Sequence, residues 1–420
     1  MNQAYTGGND MKERIVGVVG GGPAGMTAAI AAARCGCRVM IFERNDRIGK
    51  KLLSTGNGKC NLGNRMLSEQ EYGGSSPKWI RESLSRFGTE DTICFFQGLG
   101  LLIKERNGYL YPACEQASAV LDVLRAELKA LGVRILTGCL IDKIGKDRST
   151  GKIQVCAGKD TYFLDRVVLA CGGKAAPRTG SDGAGYRLAE NLRHSLRPVV
   201  PALVQLRCRE DCLKAVAGVR AEALVRAVAD GKTIASERGE VQLTDYGISG
   251  IPVFQMSRTV NYCLREQREV TVILDFLPDY SSEEYAGMQK AREMMQPDRT
   301  VEEFFTGILH KKLMMLFIKT AGLKPNEPVD QAKKKALNQV FALCRKWELH
   351  VTGSNSFDHA QVSAGGVDTD QVTEKMESKL VPGVYFAGEI LDVDGKCGGY
   401  NLQWAWCSGY LAGDAAGRGT

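Results

Sequence analysis

The stretch Ile15–Glu43, IVGVVGGGPAGMTAAIAAARCGCRVMIFE, decides the fold of this chain. Its apolar run over residues 15–19 predicts a buried parallel strand, and the alanine-rich segment ending near Gly36 predicts a helix. A second strand is predicted over residues 38–42, and Glu43 closes it. Strand, helix, strand and terminal acid together are typical of a nucleotide-binding α/β unit.

Three glycines between the first strand and the helix, Gly20, Gly22 and Gly25, have the spacing G-x-G-x-x-G. The first allows a tight turn, the second lets the backbone approach a pyrophosphate, and the third lets the helix pack closely on the strand. The helix N-terminus then presents N–H groups and a positive dipole end to the phosphates. Glu43 stands about 20 residues further on, where an acid accepts hydrogen bonds from an adenosine ribose. The sequence therefore predicts a bound dinucleotide.

Length and composition are typical of an ordinary soluble globular protein. It has 420 residues, 44% hydrophobic and 25% charged, with a net charge of +7. Because no apolar run approaches the roughly 18 residues of a membrane span, we expect a cytoplasmic protein with no membrane span. Fourteen cysteines without a C-x-x-C pair predict reduced thiols and no metal site. The basic clusters are short and no nucleic-acid-binding motif is present, so a nucleic-acid partner is not expected.

Changes in residue composition and apolar pattern along the chain predict a cofactor domain in two segments. Residues 1–10 are polar and are expected to form a flexible leader. Buried strands followed by glycine recur in residues 11–196 and 355–420, which we assign to the cofactor domain. Alternating strands predict a mainly β insert, a substrate domain, over residues 197–279 and 336–354. Residues 280–335 are expected to form a helical subdomain within that insert.

Helix patterns complete this outline. Apolar spacing predicts one helix over residues 77–99 and another over residues 301–321. The sequence Gly398-Gly-Tyr-Asn401 opens a further apolar helix, and its N–H groups would face an acceptor or an anion.

Three separated segments resemble the three signatures of FAD proteins with the glutathione-reductase-like fold: the stretch quoted first, VVLACGG at Val167–Gly173 and GVYFAGE at Gly383–Glu389. GKKLLSTGNGKCNLGN at Gly49–Asn64 and GEILDVDGKCGGYNLQWAWCSG at Gly388–Gly409 resemble a bacterial flavoprotein family of the YhiN and BaiN type, which includes aminoacetone oxidase-like enzymes. The resemblance runs from Ile15 to Gly413. It implies an α/β, glutathione-reductase-like FAD-binding Rossmann domain in two segments, with an inserted β-barrel-like domain that carries a helical subdomain.

The resemblance and the glycine-rich loops together define the predicted cofactor contacts. These positions lie in the fingerprint, in the first loop, at the ends of later strands or at the start of the last helix: Gly20, Gly22, Pro23, Ala24, Gly25, Glu43, Arg44, Lys50, Lys51, Ser54, Gly58, Lys59, Cys60, Asn61, Ile141, Ala170, Gly172, Gly388, Glu389, Asp394, Gly399, Tyr400, Asn401 and Leu402. Two positions depart from the family pattern. Glu389 replaces the commoner Asp, and Lys59 replaces an Arg, which keeps the charge but loses the planar fork.

The cofactor expected from these patterns is FAD, which carries the hydride chemistry. No second G-x-G-x-x-G follows a strand, so NADH or NADPH would bind only transiently as electron donor. Acid–base candidates are Lys59, Tyr109, Tyr111, His359 and Tyr400, and each of these residue types is more often structural. Cys60 and Cys397 are candidate reactive thiols, although buried thiols are usually inert. The catalytic residues therefore stay open.

The leading hypothesis is an FAD-dependent oxidoreductase acting on a small organic substrate, with reduction of an activated C=C bond, as in a bile-acid-type enone, implied by the family resemblance. A flavin oxidase of an amine such as aminoacetone is the second hypothesis. An RNA-associated flavoprotein is the third, and a non-catalytic flavin carrier the fourth. The sequence leaves the substrate and the oligomeric state open.

Overall fold

The computed structural model describes residues 14–147, 149–295 and 298–418, so the expected leader at residues 1–10 lies outside the described part. The chain divides into two compact units. The first unit consists of the residues up to Val199 and from Val362 onward, and the barrel unit is Val200–Gln361.

Strands and helices are numbered along the chain. The strands are β1 Ile15–Val19, β2 Arg38–Phe42, β3 Gly63–Asn64, β4 Tyr72–Gly73, β5 Ile103–Arg106, β6 Tyr109–Pro112, β7 Arg134–Leu136, β8 Lys143–Lys146, β9 Ile153–Ala157, β10 Asp160–Leu164, β11 Arg166–Leu169, β12 Leu196–Ala202, β13 Leu206–Cys208, β14 Arg220–Ala229, β15 Lys232–Leu243, β16 Gly247–Ser249, β17 Val270–Asp275, β18 Trp347–Ser354, β19 Val362–Val367, β20 Val384–Phe386 and β21 Asp394–Gly395. The helices are α1 Pro23–Arg34, α2 Pro77–Arg86, α3 Thr89–Gly98, α4 Ala117–Ala130, α5 Ala184–Asn191, α6 Leu213–Val216, α7 Ile251–Arg265, α8 Ser282–Met295, α9 Val301–Phe305, α10 Lys311–Thr320, α11 Lys334–Arg345 and α12 Tyr400–Arg418.

A parallel sheet with strand order β20-β11-β1-β2-β7 forms the centre of the first unit. Val18 in the central strand pairs with Val168 on one side and with Ile41 on the other. All three side chains are fully buried, as expected for a sheet that is covered on both faces. The predicted Rossmann-type α/β architecture is therefore confirmed.

Helix α12 packs on α1 through residues that have little or no side chain. A Cβ atom on Gly409 would lie 2.4 Å from Ala24 O, and one on Gly413 would lie 2.2 Å from Ala28 O. Backbone therefore meets backbone along this contact, and only glycine allows the approach. The C-terminal helix in this way supports the helix that follows the G-x-G-x-x-G turn.

Two predicted helices are in fact pairs of helices. The region 77–99 contains α2 and α3, which separate at Phe87 and Gly88, where Gly88 has extended backbone and its N–H donates to Asp91 Oδ2 at 2.8 Å. The region 301–321 contains α9 and α10, with Gly307 at φ +84° between them. The predictions were wrong because apolar spacing continues across both breaks, whereas helix termination depends on a local cap.

The barrel unit contains a closed six-stranded barrel with strand order β13-β16-β15-β14-β17-β18. Strand β14 alternates between buried and less buried residues, so that Ala223, Val225 and Ala227 point into the barrel core. The buried aromatic residues Phe304 and Phe341 of the neighbouring helices belong to the same apolar cluster. The barrel and these helices therefore share one continuous core.

Within the described part of the chain, no helix is both long enough and apolar enough to cross a membrane.

Candidate functional site

The turn between β1 and α1 is held by contacts that require glycine. The Gly20 N–H donates to Phe42 O at 2.8 Å, and Gly20 has a φ of +108°. A Cβ atom on Gly20 would lie 2.4 Å from Ala170 O, and one on Gly25 would lie 1.9 Å from Gly20 O. No side chain fits at either position, so these two glycines set the turn and the close packing of the helix.

The N-terminus of α1 faces open space. Gly22 is the N-cap residue, and a Cβ atom on it would meet no heavy atom within 4 Å. Pro23 occupies the start of the helix, and among the described residues no side chain caps it. The first N–H groups and the positive dipole end are therefore available to an anion such as a pyrophosphate.

Glu43 at the end of β2 lies behind this turn, only 7% exposed. Its Oε2 accepts from the Gly21 N–H at 2.8 Å, and its Oε1 accepts from both the backbone N–H and the side-chain Nδ2 of Asn45, each at 2.8 Å. Three protein donors thus stabilise the carboxylate and fix its orientation. Oε2, which accepts only one of these bonds, keeps a further lone pair, so Glu43 can still accept from a ribose hydroxyl.

Strands β11 and β20 bring the second and third signature segments to the first. The Ala170 N–H donates to Val19 O at 2.9 Å. Gly388, at φ +78°, lies so close to α1 that a Cβ atom on it would be 2.8 Å from the Ala24 Cβ. The three segments, far apart in sequence, therefore meet at the carboxyl edge of the parallel sheet, where nucleotides bind in this class of fold.

Glu389 links the third signature to two other parts of the chain. Its Oε2 accepts from Lys51 Nζ at 2.7 Å and its Oε1 from the Ser363 N–H at 2.9 Å. The Ser363 hydroxyl oxygen, itself buried, accepts from the Lys174 and Ala175 N–H groups at 2.7 and 3.0 Å. A partly buried ion pair and a serine thus hold the acid against the segment that follows β11.

The loop that carries Lys59 and Cys60 is fixed by charge on one side and by burial on the other. Lys59 Nζ lies 2.8 Å from Glu115 Oε2, and Lys104 Nζ bonds the other oxygen of the same carboxylate. Hydrogen bonds from Lys104 and Lys59 lower the pKa of Glu115 to about 2. Cys60 is fully buried, and burial raises its pKa to about 12, so it stays a neutral thiol.

The start of α12 is packed tightly against this loop. Gly399, at φ +93°, leaves no room for a side chain, because a Cβ atom would lie 2.6 Å from Asn61 Oδ1 and 2.7 Å from Gly63 O. In the orientation that satisfies both ends of its amide, Asn61 accepts from the Gly399 N–H at 3.2 Å and donates to Gly63 O at 2.8 Å. Asn61 therefore ties the first loop to the N-terminus of α12.

Tyr400 and Asn401 have structural contacts at this helix start. The Tyr72 hydroxyl donates to Tyr400 O at 2.9 Å, and burial raises the pKa of Tyr400 to about 12. Asn401 accepts from the Gly395 N–H at 2.8 Å and donates to Gly395 O at 2.7 Å. These bonds occupy the Asn401 side chain, which fixes the backbone of Gly395 beside the first turn of α12.

The remaining predicted cofactor positions differ in exposure. Arg44 is ion-paired with Asp182 and Lys50 with Asp46, each at 2.6 Å. The exposed Ser54 hydroxyl donates to Lys51 O. Ile141 and Asp394 are buried, and Gly58 and Gly172 adopt positive φ. Leu402 lies partly buried on α12. Their contact with a cofactor stays a prediction.

The acid–base candidates are divided between the two units. Lys59, Tyr109, Tyr111 and Tyr400 belong to the first unit, whereas His359 belongs to the barrel unit. Tyr109 is 37% exposed, and its ring lies against Gly398, where a Cβ atom would be 2.9 Å from Tyr109 Cε1. Tyr400 is only 5% exposed. Tyr109 and Lys59 are therefore the first-unit candidates whose side chains are exposed to solvent.

Sequence reasoning missed Asn45, Tyr72 and Ser363. Asn45 orients Glu43, Tyr72 bonds the first turn of α12, and Ser363 bonds the segment after β11. The position of Asn45 two residues after the acid was a usable signal, because short polar side chains often bond locally. No local signal marks Tyr72 or Ser363. Among the described residues, no group of three or more His, Cys, Asp or Glu side chains could hold a metal ion.

These features fit FAD. The uncapped α1 N-terminus and the empty space at Gly22 suit a pyrophosphate, and the buried carboxylate of Glu43 suits a ribose. Glu389, held by Lys51, and the N-terminus of α12 are an acid and a helix dipole that would suit the rest of the cofactor.

Comparisons with known proteins agree with this picture. The model of the HI0933-like protein Rossmann domain family matches residues 14–415. The chain is 44% identical over 404 residues to the 3-dehydro-bile acid delta(4,6)-reductase of Clostridium scindens, covering 96% of this chain and 98% of that protein. It is 30% identical over 400 residues to the ribosomal RNA dihydrouridine synthase of Haemophilus influenzae, covering 94% and 96%. A 3-ketosteroid delta1-dehydrogenase structure from Sterolibacterium denitrificans has the same fold, with a TM-score of 0.50 at 13% identity over 96% of this chain and 99% of that one.

Proposed function

The chain belongs to the HI0933-like Rossmann family and is an FAD-dependent oxidoreductase, and we propose that it reduces a C=C bond conjugated to a carbonyl group in a small organic substrate. The observation that carries this proposal is the 44% identity, over nearly the whole of both chains, to a protein named a 3-dehydro-bile acid delta(4,6)-reductase. The substrate class we propose is therefore a bile-acid-type enone or dienone.

Bound FAD supplies the hydride chemistry. The protein's part is to hold and orient it. In our proposal the α1 N-terminus binds the pyrophosphate, Glu43 binds the ribose, and Glu389 binds the ribityl region with Lys51 beside it. The N-terminus of α12, which begins at Tyr400, would supply the positive end of a helix dipole to the pyrimidine edge of the ring and would stabilise negative charge there.

Tyr109 and Lys59 are the groups that we propose for proton exchange with the substrate. Both side chains are exposed to solvent, and they belong to the same unit as the cofactor residues. Cys60 remains a neutral thiol because of its burial, so no nucleophilic role is assigned to it.

NADH or NADPH is the proposed electron donor. Because the sequence has no second G-x-G-x-x-G, the donor would bind transiently rather than in a domain of its own. We also propose the finer architecture: a glutathione-reductase-like cofactor domain over residues 11–196 and 355–420, a β insert over 197–279 and 336–354, and a helical subdomain over 280–335.

Reduction of uridine in RNA is the second candidate function. It is favoured by the 30% identity to a protein named a ribosomal RNA dihydrouridine synthase. The C5=C6 bond of uracil is conjugated to a carbonyl group, so the two candidates share one reaction type. They differ in whether the substrate is a small molecule or a polyanion, and RNA binding would weaken steeply with salt.

The first test is cofactor binding by a single substitution, Gly22→Val. Gly22 has extended backbone, and a side chain there meets no protein atom within 4 Å, so the apo-protein should keep its thermal stability. Valine would fill the space in front of α1, and we expect FAD affinity to fall by ~100-fold or more, a loss of ~3 kcal/mol. Unchanged FAD affinity in Gly22→Val would contradict the assigned cofactor site.

The second test follows the flavin absorbance of the purified protein without oxygen, during titration with NADH and then NADPH. We expect bleaching by one nucleotide, followed by recovery of the yellow colour when a 3-oxo-4,6-diene bile acid is added. Recovery with a uridine-containing RNA but not with the dienone would favour the second candidate. A protein that is bleached only by an amine and reoxidised by oxygen would overturn both in favour of an oxidase.

A further inference from the structure

A hairpin in the first unit brings two cations and two tyrosines to one face. Its strands β5 and β6 are joined by Asn107 and Gly108, with φ of +53° and +84°, the left-handed values of a type I′ turn. In this register Arg106 lies opposite Tyr109, and the pair two residues further along the strands shares their face. We call this the tyrosine face, and it consists of Lys104, Arg106, Tyr109 and Tyr111.

The tyrosine face borders the start of α12. On the other side of Tyr109, its partner in β3 is Asn64, which donates from Nδ2 to Gly398 O at 3.1 Å. The Tyr109 ring itself lies against Gly398, where a Cβ atom would be 2.9 Å from Tyr109 Cε1. Gly398 and Gly399 lead directly into α12, whose N-terminus the proposed function assigns to the flavin ring. All of these residues belong to one compact unit, so the tyrosine face lies beside the proposed position of the ring.

The charges of the hairpin are divided between its two faces. Glu105 belongs to the opposite face, where its Oε2 lies 3.0 Å from Arg65 Nε, and Glu90 pairs with the same arginine. The acids on that side are therefore paired. On the tyrosine face, the Arg106 side chain is exposed. Within the described ranges of the chain, no carboxylate forms an ion pair with Arg106, so its planar fork remains for two oxygens of a phosphate.

Two lysines add charge at the same place. Lys104 on the tyrosine face and Lys59 from the first loop bind different oxygens of the Glu115 carboxylate, Lys59 at 2.8 Å. An ammonium group has three N–H donors, so each lysine keeps donors beyond the one that Glu115 accepts. With Arg106, three cations stand against one carboxylate and leave an excess of two positive charges. A dinucleotide has one negative charge on each phosphate of its diphosphate, so the charges match.

The two tyrosines supply flat surfaces beside these charges. Tyr109 and Tyr111 alternate with buried residues along β6 and stand about 7 Å apart on one face. Tyr109 is the more exposed of the two, and exposed aromatic rings are surfaces on which bases and similar flat rings stack. Because the opposite face carries the paired Glu105, the positive charge does not extend around the hairpin as a longer polyanion such as RNA would need. The chemistry favours a single dinucleotide.

We propose that the tyrosine face binds the nicotinamide dinucleotide that reduces the flavin. Arg106 and Lys104 bind the diphosphate, and Tyr109 stacks against a ring of the dinucleotide. This assignment rests on the proposed function, because it names the surface from which the transient electron donor reaches FAD. The chain thus binds a second dinucleotide without a second G-x-G-x-x-G, since side-chain cations take the place of a helix N-terminus. Donor and C=C substrate use the face in turn.

The first experiment measures binding without hydride transfer. The probe is tetrahydro-NAD, which has the diphosphate but cannot donate a hydride, and it is titrated calorimetrically into the FAD-loaded protein. We expect Arg106→Met to weaken binding by ~10- to 100-fold, the range for hydrogen bonds to a charged group. Arg106→Lys should give a smaller loss, because lysine keeps the charge without the fork. Tyr109→Leu should weaken binding by ~5- to 150-fold through lost stacking.

Arg65→Met is the matched control. Arg65 is an exposed arginine directly after β3, and its guanidinium pairs with acids on the opposite face of the same sheet, so tetrahydro-NAD binding should be unchanged. No binding of tetrahydro-NAD by the unsubstituted protein would overturn the proposal, as would equal losses in Arg106→Met and Arg65→Met. A loss in Arg106→Met that is larger for a uridine RNA oligonucleotide than for tetrahydro-NAD would also overturn it.

The second experiment compares two hydride donors by the rate of flavin bleaching without oxygen. N-benzyl-dihydronicotinamide has the reactive ring of NADH but no phosphate. We expect Arg106→Met to raise the NADH concentration for half-maximal rate by ~10- to 100-fold and to leave bleaching by the phosphate-free donor unchanged. An equal effect of Arg106→Met on both donors would contradict a role in binding the diphosphate.

The proposed function and the donor site can fail separately. Bleaching by NADH that depends on Arg106, without any reduction of the dienone, would refute the proposed function and leave the donor site standing. Reduction of the dienone with N-benzyl-dihydronicotinamide, in a protein that does not bind tetrahydro-NAD, would refute the donor site and leave reduction of the C=C bond standing.

Discussion

Replacing Gly413 by alanine tests whether backbone contact between α1 and α12 holds the first unit together. The new Cβ atom would lie 2.2 Å from Ala28 O and 2.7 Å from Ala28 Cα, where carbon atoms normally stay roughly 3.5 Å apart. Both obstacles are backbone atoms, so the helices must separate by about 1 Å. Overpacking of this kind costs about 1–3 kcal/mol, and the rigidity of the backbone places it near 3.

Alanine also favours a helix over glycine by about 1 kcal/mol, which leaves a net destabilisation of ~2 kcal/mol. For a unit of this size that corresponds to a fall in Tm of roughly 4–8 °C. The assay is thermal unfolding followed by circular dichroism, with Gly287→Ala as the control. Gly287 is an exposed position in α8 where a Cβ atom meets nothing within 4 Å, so this variant should unfold at or slightly above the native Tm. If Gly413→Ala is as stable as Gly287→Ala, the reasoning from close helix packing is refuted.

Three further outcomes are expected. Glu43→Gln should weaken FAD binding by ~10- to 150-fold in a fluorescence titration. The reason is that three N–H donors of Gly21 and Asn45 orient the carboxylate, which an amide does not replace. An unchanged Kd would contradict the role assigned to Glu43. When native protein is treated with iodoacetamide at pH 8, the exposed Cys94 should be alkylated, whereas Cys60, with a pKa of about 12, should stay unmodified. Mass spectrometry measures both, and equal labelling would show that Cys60 is accessible. Because the pKa of Glu115 is lowered from 4.5 to about 2, its bonds with Lys59 and Lys104 stabilise the fold above pH 4.5 and are lost as the pH falls towards 2. The difference in Tm between native protein and Glu115→Gln should therefore shrink over that interval, and a constant difference would point to a cause other than this charge.

The cofactor half of the molecule was predictable because its signals are local. The spacing of Gly20, Gly22 and Gly25 between an apolar strand and an alanine-rich helix is a local pattern that predicts the turn, even though the contacts of Gly20 with Phe42 and Ala170 come from later strands. The predicted family and the class of FAD-dependent oxidoreductase are confirmed by the comparisons, and so is the Rossmann-type architecture. Segments that contain their own helix caps and turn residues can be predicted without knowledge of the fold.

Helix ends were less predictable than helices. The breaks at Gly88 and at Gly307 fall inside continuous apolar patterns. The spacing of apolar residues indicates which face of a helix is buried, but it does not indicate where the helix ends. The catalytic groups stayed open for a related reason. A tyrosine or a lysine such as Tyr109 or Lys59 has the same local pattern in a site as on any surface, and only its neighbours in space distinguish the two.

What the sequence determined by itself is the class of fold, the position of the dinucleotide turn and the order of the signature segments. Only the tertiary structure decided which distant residues share a contact: Gly413 against Ala28, Ser363 with Glu389, and Tyr109 against Gly398. The physical reason is that turns and helices arise from neighbours along the chain, whereas a buried acid or an open guanidinium is defined by partners that the chain brings together only when it folds.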